Sequence, residues 1–174
     1  MVATVHLICV RKGDGVHECP SRVWVTVARG VEGDRWYTSA KRDVRAQVTL
    51  MSARVAARLT DGRMPLHTAG DNFLVDLDLG EAAMPVGTRL RVGAAVVEIS
   101  DKPHMGCKKF AARFGDEALN WVNADESCAL RLRGVNCRVI VSGEVAVGDR
   151  VDVLADDLPP KEVSDVDLKV SREP

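Results

Sequence analysis

Cys107 stands in Lys102-Pro103-His104-Met105-Gly106-Cys107-Lys108-Lys109-Phe110, with a histidine three places before it and two lysines directly after it. A thiol among cationic groups ionises more readily, because positive charge stabilises the thiolate, and the thiolate is both the nucleophile and the metal ligand. The plain alternative is a cysteine that merely lies in a basic loop. His104 is the one histidine with a reactive neighbour, and a Cys–His pair at this spacing can serve as nucleophile and base. No Q-A-C or C-G-S-C-W element marks a cysteine protease, so Cys107 reads as a general reactive thiol.

A second loop, Gly30-Val31-Glu32-Gly33-Asp34-Arg35, follows a run of alternating valines. Gly33 allows a sharp turn and close approach of a ligand to main-chain N–H groups. Arg35 suits bidentate binding of a phosphate, and Asp34 suits orienting that arginine or accepting from a ligand amide. An ordinary Gly-Asp turn between strands is the competing reading. Asn72, in Ala69-Gly70-Asp71-Asn72, has an amide to turn toward a heterocycle edge, unless it is only a turn residue. Lys41, Arg42 and Arg45 form either a rim for an anion or a solvated face. Neither G-x-x-x-x-G-K-[ST] nor G-x-G-x-x-G occurs, so a P-loop or Rossmann nucleotide site has no support.

The elements that must position these residues show mostly period-two alternation, the mark of half-buried strands. It runs through Val5, Leu7 and Cys9; Val23, Val25 and Val27; Gln47 to Leu50; Phe73 to Leu77; Val135 to Val141; and Val151 to Val153. Thr88 to Val92 and Ala95 to Ile99 flank Gly93-Ala94, and a leading glycine suits a type II′ hairpin. Ser52 is placed to cap a helix carrying Val55 and Leu59 and stopped by Gly62. Lys108 to Asn123, with Gly115 inside, predicts two short helical turns. Many short strands with few helices predict a mainly β protein, a closed or nearly closed β-barrel.

At 174 residues the chain suits one domain with a proper core. Its net charge of −1, from 24 basic and 25 acidic residues, points to neither nucleic acid nor a membrane surface as partner. The apolar run Val2 to Val10 is too short to span a bilayer, and its charges, Arg11 and Lys12, follow it rather than precede it. Five cysteines without a C-x-x-C pair argue against a disulfide framework or a structural zinc site, and for reduced thiols in a cytoplasm. Cys9 and Cys137, inside apolar runs, read as core thiols. Residues 155–174 carry six acidic and three basic residues and Pro159-Pro160, and read as a loosely docked tail beyond a 1–154 domain.

Taken in order, several segments resemble the MOSC domain, the module at the C-terminus of molybdenum-cofactor sulfurases that also occurs as small free-standing proteins. They are Gly30 to Arg35, Gln47-Val48-Thr49-Leu50-Met51, Ala69 to Val75, Gly87 to Gly93 leading to Cys107-Lys108-Lys109-Phe110, and Gly143 to Val151. The resemblance implies a barrel like that of pyruvate kinase and a pocket for the molybdenum cofactor, a molybdopterin. It implies that Cys107 ligates molybdenum or carries sulfur as a persulfide; His104, on the residues alone, stands beside it as a second catalytic candidate. Gly33, Asp34, Arg35, Arg45, Asn72 and Lys102 are then the cofactor-binding candidates. It further implies reduction of N-hydroxylated substrates, sulfur transfer, or binding of the cofactor without catalysis, with a redox or sulfur-donor protein as partner. Trp36-Tyr37 stands where many relatives have histidine after Gly-Asp-Arg. The desulfurase domain that uses pyridoxal phosphate is absent, so no pyridoxal phosphate is expected in this chain alone.

Overall fold

The valine alternation becomes strands that bury one face. The computed structural model describes residues 2–155. Its strands are β1 (Val5–Ile8), β2 (Val10–Arg11), β3 (His17–Glu18), β4 (Arg22–Thr26), β5 (Gly30–Val31), β6 (Val48–Ser52), β7 (Phe73–Val75), β8 (Arg89–Val92), β9 (Ala95–Ile99), β10 (Val135–Val141), β11 (Gly143–Ala146) and β12 (Val151–Val153). Its helices are α1 (Ala53–Thr60), α2 (Lys108–Asn123) and α3 (Asp125–Cys128).

Seven strands make one sheet in the order β1-β7-β6-β10-β9-β8-β12. Among the described strands only β6 and β7 pair in parallel, with Leu50, Met51 and Ser52 beside Phe73, Leu74 and Val75. The two ends of the sheet meet. Thr4 bridges Arg150, the Val5 N–H donates to the Asp149 carbonyl, and the Val151 N–H donates to the Ala3 carbonyl. The protein is therefore mainly β, a sheet nearly closed into a barrel with three short helices, which leaves few free edges. A smaller sheet, β11-β4-β5, adds Val145, Val25 and Val31 to the same core. Leu50, Phe73, Leu90 and Ile99 are sealed there, and each such side chain stabilises the fold by about 1.5–3 kcal/mol. At the start of β10, Gly134 has a φ of +97°, and a Cβ there would sit 2.1 Å from the Leu50 carbonyl oxygen. No other residue lets β10 lie so close on β6.

A second apolar layer, Met51, Ala56, Ala69 and Leu74, lies under Val55 and Leu59 of α1 and Phe114 of α2. Ser52 precedes α1 but its hydroxyl makes no capping bond, and the left-handed turn begins at Asp61 (φ 47°), before Gly62. β4 stops at Thr26, so Val27 is 40% exposed and not part of the alternation. Gln47 lies outside β6. Its Nε2 donates to the Val27 carbonyl (2.7 Å) and its Oε1 accepts from the Val139 N–H (2.9 Å), tying the two sheets together. The β8–β9 hairpin has its two-residue loop at Gly93-Ala94, with Gly93 at a φ of +57°. α2 is broken at Gly115 (φ 86°, ψ 168°), as that glycine suggests. Of the tail expected at 155–174, all but the first residue lies outside the described residues. No described helix is long and apolar enough to cross a membrane.

Candidate functional site

The loop from β9 to α2 carries Cys107 and is held from both sides. Asn136 of β10 donates from Nδ2 to the carbonyls of Lys102 and Pro103, each at 3.2 Å. Near the end of α2, Asn123 accepts from the Gly106 N–H (2.8 Å) and donates to the Gly106 carbonyl (3.0 Å). A Cβ at Gly106 would lie 2.8 Å from Leu119 Cδ1 and 3.0 Å from Val122 Cγ2, so a larger residue there requires both side chains to shift. This grip delivers Cys107, exposed, to the residue before the first turn of α2. Burial raises the thiol's pKa, but the N–H groups of Phe110 and Lys109 and the guanidinium groups of Arg133 and Arg113 outweigh it. The thiol is left below its ordinary value. The N–H groups act at a geometry short of a full capping bond. The expected cationic company was the Lys108 and Lys109 side chains; the helix start and two arginines from further along the chain take that part. By contrast, burial pushes the Cys9 thiol up to about 12 and raises Cys137 as well, in keeping with their place in the core.

The second loop is built inward. The Asp34 side chain has no exposed surface, and its carboxylate accepts from Arg11 Nε (2.9 Å) and Nη2 (3.0 Å) and from the Arg11 and Trp36 N–H groups. Burial works against this charge, and the Arg11 bonds more than offset it, leaving the carboxyl below its ordinary range. Asp34 thus grips Arg11, and does not orient Arg35 as expected. Asn72 is fully enclosed. Its Nδ2 donates to the Cys9 carbonyl (3.1 Å) and to Asp34 (3.0 Å), and its Oδ1 accepts from the Thr49 N–H (3.1 Å) and Arg11 (3.2 Å). Both residues are occupied in holding the loop, which leaves neither free to face a ligand. Gly33 adopts a φ of +77° beside Lys12 Nζ, and Arg35 alone in this loop turns its cation outward.

Arg35 opens onto a cleft of about 490 Å³. Its walls bring together Arg11, Arg35, Lys41, Arg42 and Lys102 with Trp36, His104 and Asn136, against the single carboxylate of Asp43. Asp43 holds Lys102 at 3.0 Å. Arg45 does not line this cleft: it is paired with Asp43 (2.9 Å) and Asp101 (3.5 Å), and would have to leave both to meet an anion. A second cavity of about 330 Å³, with Val86, Met105, Val122 and Val135 in its wall, shares Lys102, His104 and Asn136 with the first. Cys107 lines neither; it lies three residues beyond His104 on the same loop.

His104 turns its Nδ1 toward Asp71 Oδ1, at 3.6 Å. Asp71 in turn is paired with Arg133, which also donates to the Ala69 carbonyl and stacks over Phe110. Arg11, Asp43, Asp71, Asn123, Arg133 and Asn136 were not singled out in the sequence. Each is an isolated residue with no local spacing signal. Among the described residues no group of three or more His, Cys, Asp or Glu is placed to hold a metal.

Similarity to known proteins agrees with this architecture. The structure matches YiiM from Geobacillus stearothermophilus with a TM-score of 0.64 and 17% identity, over 88% of this chain and 75% of that one. YiiM from Escherichia coli gives 0.59 and 20%, over 89% and 70%. The YUAD protein from Bacillus subtilis gives 0.58 and 16%, over 88% and 96%. At these identities the likeness is one of fold. No curated protein matches. Residues 45–152, more than half of the chain, match the MOSC domain family. With that match, the nearly closed barrel and the ordered segments from Gly30 to Val151, the chain belongs to the MOSC domain family.

Proposed function

We propose that this chain binds the molybdenum cofactor, with Cys107 as the protein ligand to the metal, and reduces N-hydroxylated compounds in the cytoplasm. The observation that carries the reading is an exposed, acidified thiol on a pinned loop, next along the chain from a cleft whose wall carries five Arg and Lys side chains against one carboxylate. The family's association with molybdenum-cofactor binding supports it. The residues suit the group: a thiolate is a soft donor for molybdenum, and Arg35, Lys41, Arg42 and Lys102 suit a phosphate. Bound there, the cofactor would supply two-electron chemistry, R–NHOH + 2e⁻ + 2H⁺ → R–NH₂ + H₂O, with electrons from a redox protein. The chain's own work is to neutralise the phosphate, to hold Lys102 in place through Asp43 and to fix Cys107 through Asn123 and Asn136. Protein isolated from a host that makes the cofactor should contain about one molybdenum and one pterin per chain; finding neither would sink the reading.

A second reading draws on the exposure of Cys107 and its absence from both cavity walls. There Cys107 is a sulfur carrier: its thiolate attacks the outer sulfur of a donor protein's persulfide, forms its own persulfide and releases the donor thiol. Intact mass of the isolated chain should then show about one extra sulfur, removed by reductant and mapped to Cys107 rather than Cys128.

A further inference from the structure

His104 and Asp71 leave two buried polar atoms facing each other. His104 Nδ1 and Asp71 Oδ1 are both enclosed, have no hydrogen-bond partner, and lie 3.6 Å apart. Buried polar atoms without partners are uncommon, and each calls for an account. The other Asp71 oxygen is held by Arg133, and the carboxylate can only accept. A bare Nδ1 would set a lone pair against it. A protonated Nδ1 turns the same contact into an attraction, and closing it by about 0.5 Å makes a hydrogen bond. Burial drives the His104 pKa down to about 4, with Asp71 opposing and Arg133 and Arg11 adding to the fall, so the ring is neutral and carries one proton. With that proton on Nδ1, the lone pair sits on Nε2. The ring lines both cavities, and Nε2 is the nitrogen not enclosed.

We propose that Asp71 is a positioning residue that fixes His104 as a hydrogen-bond acceptor, so that the cleft prefers an anionic heterocycle bearing an N–H donor over an anion of similar size without one. The cationic side chains of the cleft only donate; they read the anionic end of a ligand and nothing of its N–H groups. Nε2 adds a neutral ring acceptor to a wall whose one carboxylate, Asp43, is already engaged by Lys102 and Arg45. The inference rests on the cofactor reading of the cleft and adds the polarity and the atom that would meet the ring.

Two measurements test it. Two-bond ¹H–¹⁵N spectra at pH 7, with His104→Gln for assignment, should show a protonated Nδ1 and a bare Nε2. An Nε2–H tautomer or a doubly protonated ring overturns the proposal, and the wild-type spectrum decides this alone. Fluorescence titration should show 6-carboxypterin binding roughly tenfold tighter than quinoxaline-2-carboxylate, which lacks N–H groups. His104→Gln, whose amide oxygen still accepts, should keep most of that preference, and His104→Ala should lose it. Equal binding of the two anions by the wild type, or binding of neither, overturns the proposal. Isolated protein lacking molybdenum and pterin, with the tautomer and the preference intact, would count against the cofactor reading and leave this inference standing.

Discussion

The Gly30–Arg35 loop and the loop leading to Cys107 look alike as sequence: each follows a strand, contains glycine and mixes charged with polar residues. The structure uses them in opposite ways. In the first, Asp34 points inward and joins Arg11, Asn72 and Thr49 in a closed set of bonds, and Arg35 is left outside with Glu32. In the second, other segments do the holding, through Asn136 and Asn123 on the main chain; Lys102 and His104 line the cavities while paired with Asp43 and facing Asp71, and Cys107 is left exposed. A loop whose polar residues support the fold has few left for a ligand. A loop supported from outside keeps them.

The contrast can be broken most forcefully at Asp34. Asp34→Ala strands the Arg11 guanidinium and should cost about 3–5 kcal/mol in chemical denaturation. A loss below about 1 kcal/mol would mean that the inward loop is not structural. The next effect is on pH dependence. The unfolded chain takes up the His104 proton near the ordinary value of about 6.5 and the folded chain only near 4, so stability is full above 6.5 and falls toward 4. His104 should account for roughly 3 kcal/mol of that fall, and His104→Gln should flatten the stability–pH curve in this window. Gly106→Ala should cost about 1–3 kcal/mol, because Leu119 and Val122 must move. It should also slow iodoacetamide labelling of Cys107, which in the wild type should outpace that of Cys19 and Cys128 at pH 7. The smallest effect is expected at Arg35. Arg35→Ala should change stability by less than about 0.5 kcal/mol while weakening binding of anionic probes to the cleft.

Much of the barrel was legible in the sequence because valine alternation reports burial directly. The β8–β9 hairpin follows from Gly93-Ala94, and the break in α2 from Gly115. Cys107 was legible because it alone among the cysteines outside the predicted strands has cationic company. The source of its acidity was not: Lys108 and Lys109 are adjacent in sequence, whereas Arg133 reaches it only through the fold. Distance along the chain hides the rest of the site too. Arg133 and Asp71 are 62 residues apart, and Arg11 and Asn72 are 61 apart. Asn72 shows the converse limit. Its residue type suits a ligand contact, but only the fold shows all its bonding groups already taken.

The central claim is that the loop ending in Cys107 meets the cofactor's metal while the basic cleft holds its organic part. Molybdenum and pterin should therefore be measured together on wild type and Cys107→Ser, isolated side by side from a host that makes the cofactor. The variant should lose most of its molybdenum and keep most of its pterin. Molybdenum retained at the wild-type ratio in Cys107→Ser would contradict it.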